Sequence, residues 1–459
     1  MHKLEEAKKL LLKADFVNII SHIDADGIAS AAIASITLDR IGIQHKVEFL
    51  KQLDKVSIEN LKEKSLDLLW FTDLGSGSMN LLAEFRNVLI TDHHVPSSFN
   101  EIDGICHINP FIEGKNCEIE ISGAGVTYLL AKYIDERNKE LSCLGIVGAV
   151  GDLQDSLNSS LVGLNREILA EGIKAGVLEY KKDIRYFGRE TRPVYRMLQY
   201  SSDPTIFGLT GNEEKCISFL ISLGIKLKDG ENWRRWIDLE KWEKRAIISR
   251  IICNLLSNGI GHETAKRLVG EVYLLKKETL GTELHDAKEF ATLLNACGRY
   301  NKGNIGLKVC KGDRGEEYKK ARLLLAGHRK SLVESLHLIE EIGIEKRNYI
   351  QCFFGGDQIL DTLVGTLAGM LLYSGKISNT LPILGLAYTD KGVKVSARAT
   401  RELVSQGLNL STIMKEVSAK VGGIGGGHAI AAGALIPKGR EEEFLKEVEI
   451  KVKEQIFHA

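Results

Sequence analysis

The sequence predicts an α/β protein with an N-terminal parallel-sheet domain, a mostly helical connector and a C-terminal α/β domain. Three observations predict it. Short apolar runs alternate with helical patterns through the first 110 residues, the rhythm of a parallel sheet with crossover helices. From about 155 to 345 the period is mostly helical, with charge-rich joints such as KKDIRYFGRETRPVYR, and strand-like runs then return in PILGLAYTD and GVKVSARA. The 459 residues are roughly two to three times one ordinary domain, which places boundaries at 1–175, 176–345 and 346–459.

The opening MHKLEEAKKLLLKADF mixes Glu and Lys through its leucines and reads as an amphipathic surface helix. Strands are expected at FVNIIS (16–21), HKVEFL (45–50), LDLLWFT (66–72), NVLIT (87–91) and GICHI (104–108). Between the first two, Ile28, Ala29, Ala32, Ile33 and Ile36 recur at the spacing of a helix packed on a sheet. Helices follow at 122–134 and 141–150, the second rich in Gly and Ala and so able to pack closely. After RNYIQCFFGG, further helices are expected near 361–373, 411–420 and 440–455.

Lys plus Arg equals 61 and Asp plus Glu equals 61, so no general basic field attracts polyanions, and any such site must be local. The eight cysteines form no CxxC pair, which argues against zinc fingers and a disulfide scaffold. Cys143 and Cys253 lie in apolar runs and read as small buried hydrophobes, as in a reducing cytoplasm. No apolar stretch approaches the roughly 18 residues of a membrane span, so a soluble, unprocessed chain with no membrane partner is expected.

In an open α/β sheet, ligands bind beyond the carboxyl ends of the strands. Here the first strand runs into His22-Ile23-Asp24-Ala25-Asp26-Gly27, the third into Asp73, and the fourth into Asp92-His93-His94. The Gly- and Ala-rich helix then delivers Asp152. So many carboxylates in one crevice repel one another unless cations neutralise them. Asp24 and Asp26 can diverge toward two ions, and Asp73 can bridge both with its two oxygens. Mixed Asp and His donors without thiolate suit Mn²⁺ best, with Mg²⁺ and Co²⁺ as alternatives. Two ions roughly 3.5 to 4 Å apart activate water and stabilise an in-line phosphoryl displacement.

The segments SHIDADG, TDLG and TDHH, with Asp152 downstream, resemble the motifs of the DHH phosphoesterase superfamily, and SHIDADG is close to the form in archaeal RecJ-like single-strand nucleases. GGIGGGHAIAAGA, preceded by VSARA, resembles the associated DHHA1 substrate-binding domain, and LNACGR is similar to the NAxGR segment of RecJ-type enzymes. The resemblance implies a DHH domain, a connector and a DHHA1 domain. It implies one metal on His22, Asp24 and Asp73 and another on Asp26, Asp73, His93 and Asp152. His94 would face the scissile phosphate, completing with Asp73 and Asp92 the catalytic set. His22 departs from the bacterial branch, which usually has aspartate there.

Around Gly422, Gly423, Gly425, Gly426 and Gly427, backbone N–H groups can approach a phosphate, with His428 as a further donor. The resemblance implies that these positions and Arg398 grip substrate phosphate or a terminal base, and Arg299 resembles a phosphate contact but reads equally as a buried structural arginine. In the basic segment 181–196, Arg185, Tyr186, Arg189 and Arg192 would contact an unpaired strand. A second cluster, Trp233-Arg234-Arg235-Trp236, points less strongly to a strand, because its tryptophans can simply anchor the helical region.

These features predict a two-metal exonuclease on single-stranded DNA or RNA, in DNA replication or repair, with a GINS-type replication complex as a partner the archaeal resemblance allows. The alternatives are a small-molecule phosphodiesterase acting on short oligonucleotides or cyclic dinucleotides, and a replication scaffold related to the helicase co-factor. Scaffold relatives have typically lost metal ligands that this chain retains. A small-molecule enzyme needs no long connector.

Overall fold

Five strands, β1 (Phe16–His22), β2 (Gln44–Leu50), β3 (Leu68–Thr72), β4 (Val88–Thr91) and β5 (Ile105–Ile108), pair in parallel in the order β2-β1-β3-β4-β5. This is a computed structural model that describes residues 2–62, 67–201, 203–259, 261–372 and 377–457. The apolar runs are the strands, although Leu66 of LDLLWFT lies outside the described residues. Leu68 and Trp70 of β3 face a core with Ile28, Ala32, Ala124 and Tyr128. Their neighbours Leu69 and Phe71 face a second core with Ile58, Leu61, Met79 and Leu82. A strand covered on both sides carries a continuous apolar run, as LLWFT does.

The chain runs outward from β1 to β2, then returns to place β3 on the other side of β1. Such a reversal opens a crevice at the carboxyl ends of the flanking strands. Helices Ala25–Ile41 and Gly123–Ile134 pack on the sheet, Ser142–Gly151 packs on those two helices, and His2–Lys13 buries only Ala7 and Leu11.

The connector is mostly helical, as expected, but it also carries strands that the sequence pattern does not mark. β6 (Leu178–Ile184) pairs antiparallel with a distant strand, and a short hairpin of β7 (Lys228–Asp229) and β8 (Asn232–Trp233) lies between them in sequence. The distant partner is β9 (Val269–Leu275). Only the two ends of β6 are buried, so LEYKKDI carries none of the alternation that marks a half-buried strand. Helices Val194–Gln199, Glu213–Ser222 and Lys241–Ser257 fill the insertion, and Ala287–Arg299 and Glu316–Ile342 follow it.

A mixed sheet fills the C-terminal third: β10 (Glu345–Lys346), β11 (Gln351–Phe354), β12 (Ile383–Thr389), β13 (Gly392–Arg398), β14 (Ile424–Gly427) and β15 (Ala431–Ile436), ordered β10-β11-β12-β13-β15-β14. Helices Val364–Leu372, Leu410–Lys420 and Glu441–Phe457 match the expected ones, with residue 373 outside the described residues. The glycine run, expected as a loop, is instead the edge strand β14, with Gly425, Gly426 and Gly427 opposite Ala434, Gly433 and Ala432. Extended backbone of this kind does not curl into an anion nest.

By contacts, Met1–Leu198 and Cys216–Ala326 form one unit, and Gln199–Lys215 and Gly327–Ala459 another. All eight cysteines are free thiols, but Cys253 is exposed on its helix rather than buried. An apolar run on a helix still points some residues outward. Among the described residues no helix is long and apolar enough to cross a membrane.

Candidate metal centre

β1 ends on His22, β3 hands over to Asp73, β4 to Asp92, His93 and His94, and Asp152 caps the Ser142–Gly151 helix. These four segments meet. His22 Nδ1 lies 2.9 Å from Asp24 Oδ2 and 3.8 Å from Asp73 Oδ2. His93 Nε2 lies 3.3 Å from Asp152 Oδ2, 3.4 Å from Asp73 Oδ1 and 3.8 Å from Asp26 Oδ2. Asp73 thus turns one oxygen to each half of the cluster. Its backbone adopts φ 54°, a left-handed conformation that Asp tolerates better than most side chains and that often marks a working site.

Asp24 serves two purposes: its Oδ1 accepts from Gly27 N as the helix N-cap, and its Oδ2 faces His22. Asp26 is wholly buried and accepts from the Gly123 and Ala124 amides at 2.6 and 2.9 Å. Behind it a Cβ on Gly148 would stand 2.1 Å from Asp26 Oδ1, so only glycine lets that helix approach.

The electrostatics call for a cation. Burial first, then Asp152 and Asp24, raises Asp26 to about 7, while burial and Asp26 push Asp73 well above its ordinary value. Burial opposes charge on His22, yet Asp24 raises it to about 9; the same pairing overcomes burial to hold Asp24 below the carboxylate range. Asp73 Oδ1 and His93 Nε2 are buried without a hydrogen-bond partner. His93 Nδ1 is 3.1 Å from the Cys117 carbonyl, which can only accept, so Nδ1 carries a proton and Nε2, facing three carboxylates that favour a second proton there, is the atom a metal would take in its place. Three donor groupings have the proximity a metal needs: His22, Asp24 and Asp73; Asp26, His93 and Asp152; and Asp73, His93 and His94. The residues fit divalent ions.

Asp92 belongs to none of these groupings. Its Oδ1 accepts from the amides of His93 and His94 and meets His94 Nδ1 at 2.8 Å, while Oδ2 accepts from Ser76 N at 2.9 Å. His94 overcomes the effect of burial and draws the Asp92 carboxyl far below its ordinary range. Asn109 Nδ2 braces the same turn through the His94 carbonyl and Ser76 Oγ.

Sequence reasoning missed Ser76 and Asn109, and also Asn295, whose Oδ1 accepts from Ala25 N at 3.0 Å. The segment LNACGR pointed to Arg299, but its asparagine and glycine touch the metal loop directly. A Cβ on Gly298 would lie 1.9 Å from the Ile23 carbonyl oxygen. Arg299 is half-buried, with its pKa lowered by burial against the pull of Asp24.

In the C-terminal unit, Arg398 ends β13 opposite Ala431, and Gly427 lies opposite Ala432. His428 N donates to the Ala431 carbonyl at the β14–β15 turn. The structure therefore brings Arg398, Gly427 and His428 to one end of that sheet.

The basic segment is a correction. Arg185 is buried on Asp155 at 2.6 Å, Arg189 is buried between Asp183 and Asp286 at 3.0 and 2.6 Å, and Tyr186 is buried. Arg192 lies half-buried over the Phe187 ring. The carboxylates that consume the charges of Arg185 and Arg189 are mostly distant in sequence, so those two cations are lost to the surface while Lys181, Lys182 and Arg196 stay exposed.

Three family models match: the DHH family N-terminal domain at residues 16–148, the DHH-CID domain at 186–269 and the DHHA1 domain at 354–454. The uncharacterized protein MJ0831 of Methanocaldococcus jannaschii is 30% identical, with 99% of each chain covered. Among solved structures, CDC45 from Entamoeba histolytica superposes with TM-score 0.67 at 14% identity, covering 98% of this chain and 99% of that one. RecJ in complex with Mn2+ from Thermus thermophilus does so with TM-score 0.59 at 18% identity, covering 98% of this chain and 54% of that one. The chain therefore spans about half the length of that RecJ. With three successive family domains along its length and a full-length relative at 30% identity, the chain belongs to the DHH/DHHA1 phosphoesterase superfamily as a RecJ-like member.

Proposed function

We propose that this chain is a metal-dependent exonuclease that hydrolyses phosphodiester bonds of single-stranded DNA or RNA, in DNA replication or repair. The observation that carries it is the double cluster centred on Asp73, whose two oxygens face His22 and His93 at 3.8 and 3.4 Å. His22, Asp24 and Asp73 would hold one ion, and Asp26, Asp73, His93 and Asp152 the other, with Mn²⁺ best suited to the donors. Bound there, such ions supply an activated water and positive charge for phosphoryl displacement.

The chain's own groups prepare that chemistry. Amides of Gly123 and Ala124 orient Asp26, and the Cys117 carbonyl fixes the His93 tautomer. Asp92 engages the His94 ring through Nδ1, so Nε2 is the atom that would meet the scissile phosphate group. Arg299, Arg398 and His428 would take the remaining phosphates. A scaffold, the reading that the CDC45 fold brings to mind, has no use for buried carboxylates that repel one another, and their full retention supports catalysis.

End-labelled single strands of both sugars and polarities, incubated with Mn²⁺ or Mg²⁺ beside a dinucleotide and a cyclic dinucleotide, test this reading. Stepwise shortening of strands from one end is the expected result. Faster turnover of the dinucleotide or cyclic dinucleotide would move the protein to the small-molecule phosphodiesterases.

A further inference from the structure

The four tryptophans divide evenly. Trp70 and Trp236 are fully buried, whereas Trp233 is 37% and Trp242 57% exposed. Both exposed indoles belong to the insertion, and one contact sets their places. Arg234 Nη1 and Nη2 bind Glu243 Oε1 and Oε2 at 2.7 and 2.5 Å, a bidentate pair that pins the end of β8 to the first turn of the Lys241–Ser257 helix. Trp233 precedes the arginine and Trp242 precedes the glutamate.

Around this corner cations and rings alternate. Trp233 packs on Tyr195 with centroids 4.8 Å apart; Lys228 Nζ lies 4.7 Å from the Trp233 ring, and Arg196 lies over Tyr195 at 5.8 Å. Tyr195 is buried, so it gives the stack a fixed floor. Among the described residues, the Trp242 side chain makes no ring contact, hydrogen bond or ion pair. Residues 226–250 carry eight basic and five acidic side chains. Asp229, Asp238 and Glu243 are consumed by Lys226, Arg235 and Arg234, and Glu240 caps the helix. Exposed Lys228, Lys241 and Arg245 outnumber the remaining exposed acid, Glu231, and leave the surface net positive.

We propose that this corner, Trp242 with Trp233 and its flanking Lys228, Lys241 and Arg245, is a docking surface for an unpaired nucleic-acid strand. The argument is chemical: bases stack on exposed indoles while neighbouring cations meet the phosphates, whatever the base sequence. The inference rests on the nuclease reading for its biological sense, but its test does not depend on hydrolysis.

The full-length protein, held in EDTA so that nothing is cleaved, is titrated with 20-nucleotide oligo-dT and oligo-rU while tryptophan emission is followed. The strand should quench the exposed pair and leave the buried pair emitting. Trp242→Ala should remove much of that quenching and weaken strand binding by about ten-fold, within the usual range for one stacked base. Combined Lys228→Ala and Arg245→Ala should flatten the salt dependence of binding. Dinucleotide hydrolysis with Mn²⁺ should stay as in the wild type. Because Trp233 also packs on Tyr195, Trp242 carries the test. Undiminished affinity and quenching in Trp242→Ala would overturn the proposal, as would quenching by poly-glutamate and not by either oligonucleotide, which would mark a site for an acidic protein. Loss of strand binding in a protein that never cleaves strands would keep the surface and overturn the nuclease reading. Normal cleavage by a variant with unchanged affinity would do the reverse.

Discussion

Asp73 stands at the junction of two donor sets, and no other carboxylate of the cluster divides its oxygens in this way. Asp73→Ala should therefore cost more than the ~10–100-fold that outer-shell changes cost metal enzymes, measured as phosphodiester turnover at saturating Mn²⁺; turnover within a few-fold of wild type would remove Asp73 from the centre. The protonation behaviour gives a second prediction. Without metal, Asp26, Asp73, His22 and His93 all bind protons more tightly folded than unfolded. Their stabilisation is complete at low pH and is lost as pH rises, between 3.8 and about 7 for Asp26 and between 6.5 and about 9 for His22. Asp24 and Asp92 act oppositely, but only below the ordinary carboxylate range. In chelator the melting temperature should fall from pH 5.5 to pH 8.5, and Mn²⁺ should restore more at the higher pH, because ligands bind metal deprotonated. A Mn²⁺ increment equal at both values would contradict this. The ligand residues were legible because each follows a strand end or, for Asp152, a helix end. Ser76, Asn109 and Asn295 were not, because they act through hydrogen bonds to partners far along the chain, which no spacing encodes.

At the scale of elements, the Gly- and Ala-rich helix has a reason for its composition. Gly148 leaves room for Asp26, and Gly148→Ala should cost about 1–3 kcal/mol of stability through overpacking, read from urea unfolding, together with weaker Mn²⁺ binding by calorimetry. Unchanged values for both would show that the carboxylate can move aside. Parallel strands were legible because both their faces are apolar. β6 and β14 were not: one buries only its ends, and the other is four residues of which three are glycine, a composition that looks like a turn. The paired charges of the insertion illustrate the same limit. Arg189 reads locally as a phosphate contact, but folding brings it to Asp286 at 2.6 Å. Arg189→Ala strands buried carboxylates and should cost about 3–5 kcal/mol; a variant of wild-type stability with weakened strand binding would reinstate the surface role.

Over the whole molecule, the residues proposed to hold metal and those proposed to meet phosphate, Arg398 and His428, fall in different units. Arg398→Ala should raise KM for a strand while calorimetric Mn²⁺ titration matches wild type, and a lost metal site would show that the two roles are not so divided. The hydrogen bond from Ala25 N to Asn295 Oδ1 has a bearing on how the protein is made. It joins groups 270 residues apart. At a synthesis rate of roughly 5–20 residues per second, the turn that presents Asp24 and Asp26 waits about 15–50 s on the ribosome before its clamp emerges. A nascent chain halted after Asp152 already carries every donor of the cluster but lacks that clamp, so the site would mature only once Asn295 had left the exit tunnel.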